Sequence, residues 1–394
     1  MIRRLSAGVA MLAVALGIAA CGGDDTVGGV SEEEVQTAQA GPVEGELTIS
    51  TWPGYIDPGK DGTVAEFEDK TGVTVKYIED INSNLQFFGK VQPLLDQGDS
   101  GGRDIIVVTD WMAARMHDLG YLEEINPDDI QPALDNLAPQ FDSEGSYDPE
   151  HKFSIPWQGG MTGIWAITSD PDSNAVTSIN DLFDPKLKGR VTVLDEMRDT
   201  VPLVMRADGV SLDEATKEDW LAAIDRVAEA VDSGQIRRVT GNEYTEDLTS
   251  GNVVASIGWS GDGYLIGRDD VEWRRPDEGC NVWFDTMAIP AGAPNTAAAL
   301  EWINFTYEPK VQADIAETAG QPPHSEATDA GTQNQPGAVG TTGLYLRRNG
   351  ERPEVRPARD PEGVGGRDRG RRRAARRDGQ VDGRRRRPLG RIGA

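Results

Sequence analysis

The chain of 394 residues has room for two to three domains. Its 66 Asp and Glu against 39 Lys and Arg give a formal charge of −27, which argues against a nucleic-acid binder and suits cationic ligands. With 38% hydrophobic residues and nine Trp the bulk is a folded body, and three His and two Cys leave little room for a His/Cys metal site.

The charge is unevenly spread. Residues 344–394 hold 17 Arg, no Lys and seven Asp and Glu, a net of +10, so residues 1–343 carry −37. Residues 1–21 read as an export signal: Arg3 and Arg4 precede an apolar run, Ala7 to Ala20, too short for a permanent membrane span. The run ends Ile18-Ala19-Ala20-Cys21-Gly22, which resembles the lipobox of bacterial lipoproteins and implies a lipidated Cys21. An ordinary cleavage site beside an incidental Cys is the plainer alternative. Residues 22–45 are Gly-rich and acidic, as a flexible tether would be. With Cys21 acylated, Cys280 would be the one remaining thiol, without an intramolecular disulfide partner.

From residue 46 short apolar strands alternate with amphipathic helices. Leu47–Thr51 reads as a strand, then a helix over Thr63–Lys70 that Gly72 terminates. Val73, Val75 and Tyr77 alternate as a second strand, and Leu85 to Leu95 marks a helix stopped at Gly98. Ile105–Val108 is a continuous apolar run, as in a strand covered on both faces, followed by a helix through Met116 to Gly120. The pattern restarts with a strand at Val191–Leu194, a helix striped by Trp220, Ile224, Val227 and Val231, and a strand at Val253–Ile257. Such alternation predicts an α/β fold with parallel sheets in two lobes.

Open α/β sheets bind ligands beyond the carboxyl ends of their strands. At those ends stand Trp52-Pro53-Gly54-Tyr55, Thr109-Asp110-Trp111, the acids Asp195, Glu196 and Asp199, and Trp259-Ser260-Gly261-Asp262. Trp283 and Asp285 come soon after. Each of these, taken singly, fits a core aromatic or a helix-capping acid. Their recurrence at four strand ends points to a site for an organic cation, because aromatic faces attract ammonium groups and carboxylates hydrogen-bond them.

At these residues the chain resembles the spermidine/putrescine-binding proteins of bacterial ABC importers. The similar stretches are TWPGYIDP (51–58), RDIIVVTDWMAARM (103–116), FSIPWQGGMTGI (153–164), SINDLFDPKLKGRVTVLDEMRD (178–199), IGWSGDG (257–263) and VWFDTMAIPAGAPN (282–295). The resemblance implies a two-lobe periplasmic-binding-protein-like fold that closes on ligand like a hinge. Lobe 1 would begin at 46–156, lobe 2 would span 157–286, and 287–320 would return to lobe 1. The strands crossing between them would lie near Ile155–Ile164 and Asp285–Pro290. It also implies ligand contacts by Trp52, Tyr55, Thr109 and Trp111, an acidic pair in Glu196 and Asp199, the pair Trp259 and Asp262, and a further amine-binding acid, Asp285.

Two departures stand out. Pro53 and Gly54 occupy positions where some relatives carry polar or acidic contacts, which removes one amine anchor. Gln321 stands where a further aromatic is expected, and 321–394 lacks the apolar periodicity of a packed terminus. Three readings fit that tail: a basic appendage for anionic surfaces, a linker, or an out-of-frame translation beginning between Thr318 and Leu346. Arg, Gly, Pro and Ala without Lys favours the third.

The expected function is capture of a polyamine outside the cell and delivery to an ABC permease and its ATPase, without catalysis, cofactor, metal or nucleic acid. Alternatives are a binding protein for another small solute or organic cation, a damaged non-functional relative, and an extracellular hydrolase using paired carboxylates. The hydrolase is the weakest: Gly258-Trp259-Ser260-Gly261 falls short of a G-x-S-x-G elbow, and nothing assigns acid and base roles to Asp195–Asp199.

Overall fold

The computed structural model describes residues 35–137 and 147–318. The expected signal segment with Cys21, the start of the tether and the tail from 321 lie outside them.

The first part runs β1 (Glu46–Ser50), α1 (Thr63–Thr71), β2 (Thr74–Ile78), α2 (Asn84–Leu95), β3 (Ile105–Thr109), α3 (Asp110–Asp118) and α4 (Gln131–Asn136). A long strand, β4 (Ile155–Ile167), leads to α5 (Pro171–Asn174), β5 (Val191–Leu194), α6 (Met197–Ala207), α7 (Lys217–Asp232) and β6 (Arg238–Thr240). Then come α8 (Tyr244–Ser250), β7 (Ala255–Trp259), α9 (Gly263–Ile266), β8 (Val271–Arg274), β9 (Asn281–Ala288), α10 (Thr296–Thr306) and α11 (Pro309–Thr318).

Among the described residues, nine strands share one sheet in the order β2-β1-β3-β9-β4-β7-β5-β6, with β8 on β4. Within each half the consecutive strands are parallel: β1 with β2 and β3, β5 with β6 and β7. The halves meet at β4 and β9, which are antiparallel and are the two crossing strands. Thr162 is the switch point, paired with Asn281 of β9 on one side and Trp259 of β7 on the other. This is the two-lobe α/β architecture the alternating pattern predicts.

β3 is buried along its whole length, as its unbroken apolar run requires, whereas β2 at the sheet edge alternates between half-buried and exposed. α1 stops at Thr71, with Gly72 left-handed at φ 76°. The first half closes with α10: Trp302 lies edge-on to Phe67 of α1 at 5.0 Å, with Phe305 beside both. Truncating one of these fully buried rings to Ala would cost about 3–5 kcal/mol.

Two boundaries differ from the sequence expectation. β7 is Ala255–Trp259, so Trp259 ends the strand where it was expected to follow it. Val253 and Val254 before it are buried, and Val254 already donates to the Arg190 carbonyl and accepts from the Ile167 N–H, both at 2.8 Å. The tether expected through residue 45 is partly docked: Thr37 bridges Glu124, Ala38 N–H donates to the Glu124 carbonyl at 2.8 Å, and Gln39 bonds Thr296. Cys280 is half-buried beside Met161, and burial pushes its thiol pKa up.

Candidate functional site

The ends of β1, β3, β5 and β7 and the middle of β9 converge on a cavity of about 190 Å³. The nine residues singled out from the sequence all line it: Trp52 and Tyr55 after β1, Thr109 and Trp111 at the β3–α3 junction, Glu196 and Asp199 at the start of α6, Trp259 at the end of β7 with Asp262 after it, and Asp285 on β9. Parallel strands in each half aim their carboxyl ends at the cleft, and antiparallel β9 sets Asp285 opposite Thr109 at the end of β3, where Tyr55, 230 residues away, reaches it.

Trp259 is the centre of an aromatic wall. Trp52 meets it edge-on at 5.6 Å, Tyr244 at 6.0 Å and Trp283 at 6.5 Å. Its indole N–H donates to Asp199 Oδ2 at 2.9 Å, and the Thr162 hydroxyl donates to Asp199 Oδ1 at 2.6 Å. Asp199 thus ties the ring to the strand switch point. Gly160 on β4 leaves the space that the Trp283 ring fills; a Cβ there would collide with it. The indole N–H groups of Trp52 and Trp283 have no protein partner.

Three carboxyls in the wall are held well above their ordinary range. Burial pushes Asp285 up to about 7, against the hydrogen bond it accepts from the Tyr55 hydroxyl at Oδ2. Its other oxygen, Oδ1, is buried without a well-aligned hydrogen bond among the described residues, with the Thr109 side chain beside the carboxyl lowering its pKa. Burial likewise pushes Asp262 up to about 7, with the Tyr244 hydroxyl donating to it. Glu196 is also pushed up to about 7 by burial, opposed by the donors of Asn84 and supported by Asp199. An ammonium group brought against these carboxyls restores the ionised form and satisfies the open acceptor on Asp285.

The expected acidic pair is engaged unequally, Asp199 through both oxygens and Glu196 through Oε1. Glu196 Oε1 accepts both the backbone N–H and the side-chain amide of Asn84, at 2.6 and 2.9 Å, and Asp199 has both oxygens engaged. Thr109 is bound on both its polar groups by Asn84, its N–H at 3.1 Å and its hydroxyl at 2.8 Å. Arg198 lies 4.0 Å from the Trp111 ring centroid. At Gly54 the backbone is left-handed, φ 78°, and a Cβ would sit 3.0 Å from the Leu265 side chain, so an anchoring side chain there would be strained.

Sequence reasoning did not place Asn84, Arg198, Asn242 or Asn281 in this wall, and it noted Trp283 without assigning it. Asn84 sits in a helix-capping context, Ser83-Asn84, whose plain reading is local. An Arg in an otherwise acidic cleft runs against the charge argument itself.

The bacterial extracellular solute-binding protein family matches residues 62–337. Among curated relatives, the spermidine/putrescine-binding periplasmic protein of Escherichia coli is 28% identical over 280 residues, 70% of this chain and 76% of that protein. The putrescine-binding periplasmic protein of the same organism is 28% identical over 291 residues, 69% of this chain and 75% of that one. Among solved structures, a putative spermidine/putrescine ABC transporter from Listeria monocytogenes aligns with a TM-score of 0.58 at 28% identity, over 70% of this chain and 82% of that one. With its two-lobe sheet and a family match across most of its length, the chain belongs to the bacterial extracellular solute-binding proteins.

Proposed function

We propose that this protein captures a polyamine of the putrescine/spermidine class outside the cytoplasm and delivers it to the permease and ATPase of an ABC importer. Asp285 carries the reading: a buried carboxylate with one oxygen lacking a well-aligned hydrogen bond, beside the indoles of Trp52, Trp259 and Trp283. Such an oxygen is costly to bury alone and is satisfied by an ammonium group, while the aromatic faces cover the methylene chain. The named ligands of the Escherichia coli relatives and the acidic body support the same class. Lobe closure about β4 and β9 would be the mechanism, since a ligand that touches both halves favours the closed form. Turnover is not part of the reading, and lipidation at Cys21 would hold the protein at the membrane.

A thermal melt of the full chain tests this. Putrescine at a hundred times its dissociation constant adds about 2.7 kcal/mol of stability. That raises the midpoint by several degrees. A cooperative melt unmoved by millimolar putrescine or spermidine rejects the reading.

A further inference from the structure

Trp259 is held at each of its polar groups. Its backbone N–H donates to the Tyr244 hydroxyl at 2.9 Å, and its carbonyl accepts the Trp165 indole N–H at 2.9 Å. Those two bonds fix the end of β7. The third, from its own indole N–H to Asp199 Oδ2 at 2.9 Å, fixes the ring against rotation about its side-chain torsions.

Asp199 is tied in turn to three strands. The Thr162 hydroxyl of β4 donates to Oδ1 at 2.6 Å, the indole at the end of β7 reaches Oδ2, and the Asn281 amide of β9 donates to the Asp199 carbonyl at 2.8 Å. Both carboxyl oxygens thus have neutral donors from the wall, and the first turn of α6 favours an acid without any ligand. Asp110, Glu196, Asp262 and Asp285 line the same cavity. A diamine brings two ammonium groups to these acids and a triamine three, so not every acid receives an ammonium of its own.

We propose that Asp199 is a positioning residue, acting on the bound polyamine through the Trp259 ring rather than as an ammonium anchor. This rests on the polyamine reading and deepens it, and it departs from the role that the resemblance implies for this acid. The ring meets Trp52, from the other half of the sheet, edge-on at 5.6 Å and Trp283 at 6.5 Å, so its angle sets how the aromatic wall closes. A neutral amide serves the same role: its oxygen accepts the indole N–H and its NH2 group donates to the Thr162 hydroxyl.

Calorimetric titration of the full chain with putrescine tests this on the wild type, Asp199→Asn, Asp199→Ala, Thr162→Val, Trp259→Phe and the double variant Asp199→Ala with Trp259→Phe. Asp199→Asn is expected to bind within about fivefold of the wild type, and Asp199→Ala about tenfold more weakly or worse. The cost of Asp199→Ala should shrink to about threefold or less in the Trp259→Phe background, which has no indole N–H to hold. A merely structural Asp199 would cost the same affinity in both backgrounds. Thr162→Val loosens the carboxyl and weakens binding, whereas an anchoring carboxylate freed of that donor would bind an ammonium more tightly. The inference alone is overturned by a loss of about a hundredfold in Asp199→Asn, which would make its charge the anchor. Wild-type affinity in Asp199→Ala, an undiminished Asp199→Ala loss without the indole, or unchanged or tighter binding by Thr162→Val overturns it as well. No putrescine binding by a cooperatively melting wild type overturns the polyamine reading and the inference with it.

Discussion

Asn84 of α2 and Glu196 at the head of α6 are joined across the cleft, the backbone N–H and side-chain amide of Asn84 both reaching Glu196 Oε1. Beside them Asn82 donates to Glu243 at 3.0 Å and accepts the Asn242 N–H at 2.9 Å. The turn before α2 is therefore a clasp between the two halves of the sheet. Glu196 serves that clasp, and its charge is directed at Asn84 as well as at the cavity.

Replacing Asn84 by Ala leaves a buried carboxylate oxygen without its donors. A loss of about 1–3 kcal/mol in the closed form is expected, read as faster ligand release. Glu196→Gln separates clasp from anchor, because the amide oxygen still accepts from Asn84. The clasp account predicts an affinity within a few-fold of wild type. A loss of about a hundredfold would instead make Glu196 an ammonium anchor through its charge.

Asp285→Asn keeps the shape and the acceptor for Tyr55 while removing a buried charge with one oxygen short of a well-aligned hydrogen bond. Putrescine affinity should fall by about 2–4 kcal/mol, while the ligand-free melting midpoint holds or rises. Calorimetry and a melt on the same sample check both. Retained affinity would remove Asp285 from the site, and a large drop in the ligand-free midpoint would make it structural.

The pH response has opposite signs for stability and for binding. Glu196, Asp262 and Asp285 are pushed up to about 7 in the folded chain. Unfolded, such carboxyls titrate at about 4. Between those values the folded state holds more protons than the unfolded state, so ligand-free stability falls as pH rises through the window. Asp270, held down at about 2 by Arg268, acts only on the acid side of it. A bound ammonium favours the ionised carboxyls, so affinity should rise from about pH 5.5 to about pH 8 with protons released. Melts with and without putrescine at both values check this; a ligand-induced shift larger at the acidic value contradicts it.

Gly241 faces Asn82 across the clasp, and a Cβ there would run into the Asn82 carbonyl. Gly241→Ala should hold the two halves apart without disturbing either. Small-angle scattering is expected to show a more open ligand-bound form than in the wild type, with weaker putrescine binding. An unchanged scattering profile and affinity would show that the clasp yields at no cost.

The architecture was legible because periodicity reports burial directly: the apolar run Ile105–Val108 and the striped helix from Trp220 to Val231 both form where expected. The cavity wall was legible because aromatic and acidic residues at strand ends share one destination in such a sheet, and Trp52, Trp259 and Asp285 meet there. What Asn84 and Arg198 do was not legible. Both act across the cleft, and a contact between α2 and α6, or between α6 and α3, leaves no spacing signal along the chain. The engaged state of Asp199 was hidden for the same reason: its partners Thr162 and Trp259 come from β4 and β7.

The central claim is that the Asp285 cavity binds a small polyamine, and a calorimetric titration of the full chain with putrescine at about pH 8, where the wall carboxyls ionise, tests it most directly. One-to-one binding that Asp285→Asn weakens by about 2–4 kcal/mol is the predicted result. No heat of binding from a chain that melts cooperatively would contradict it.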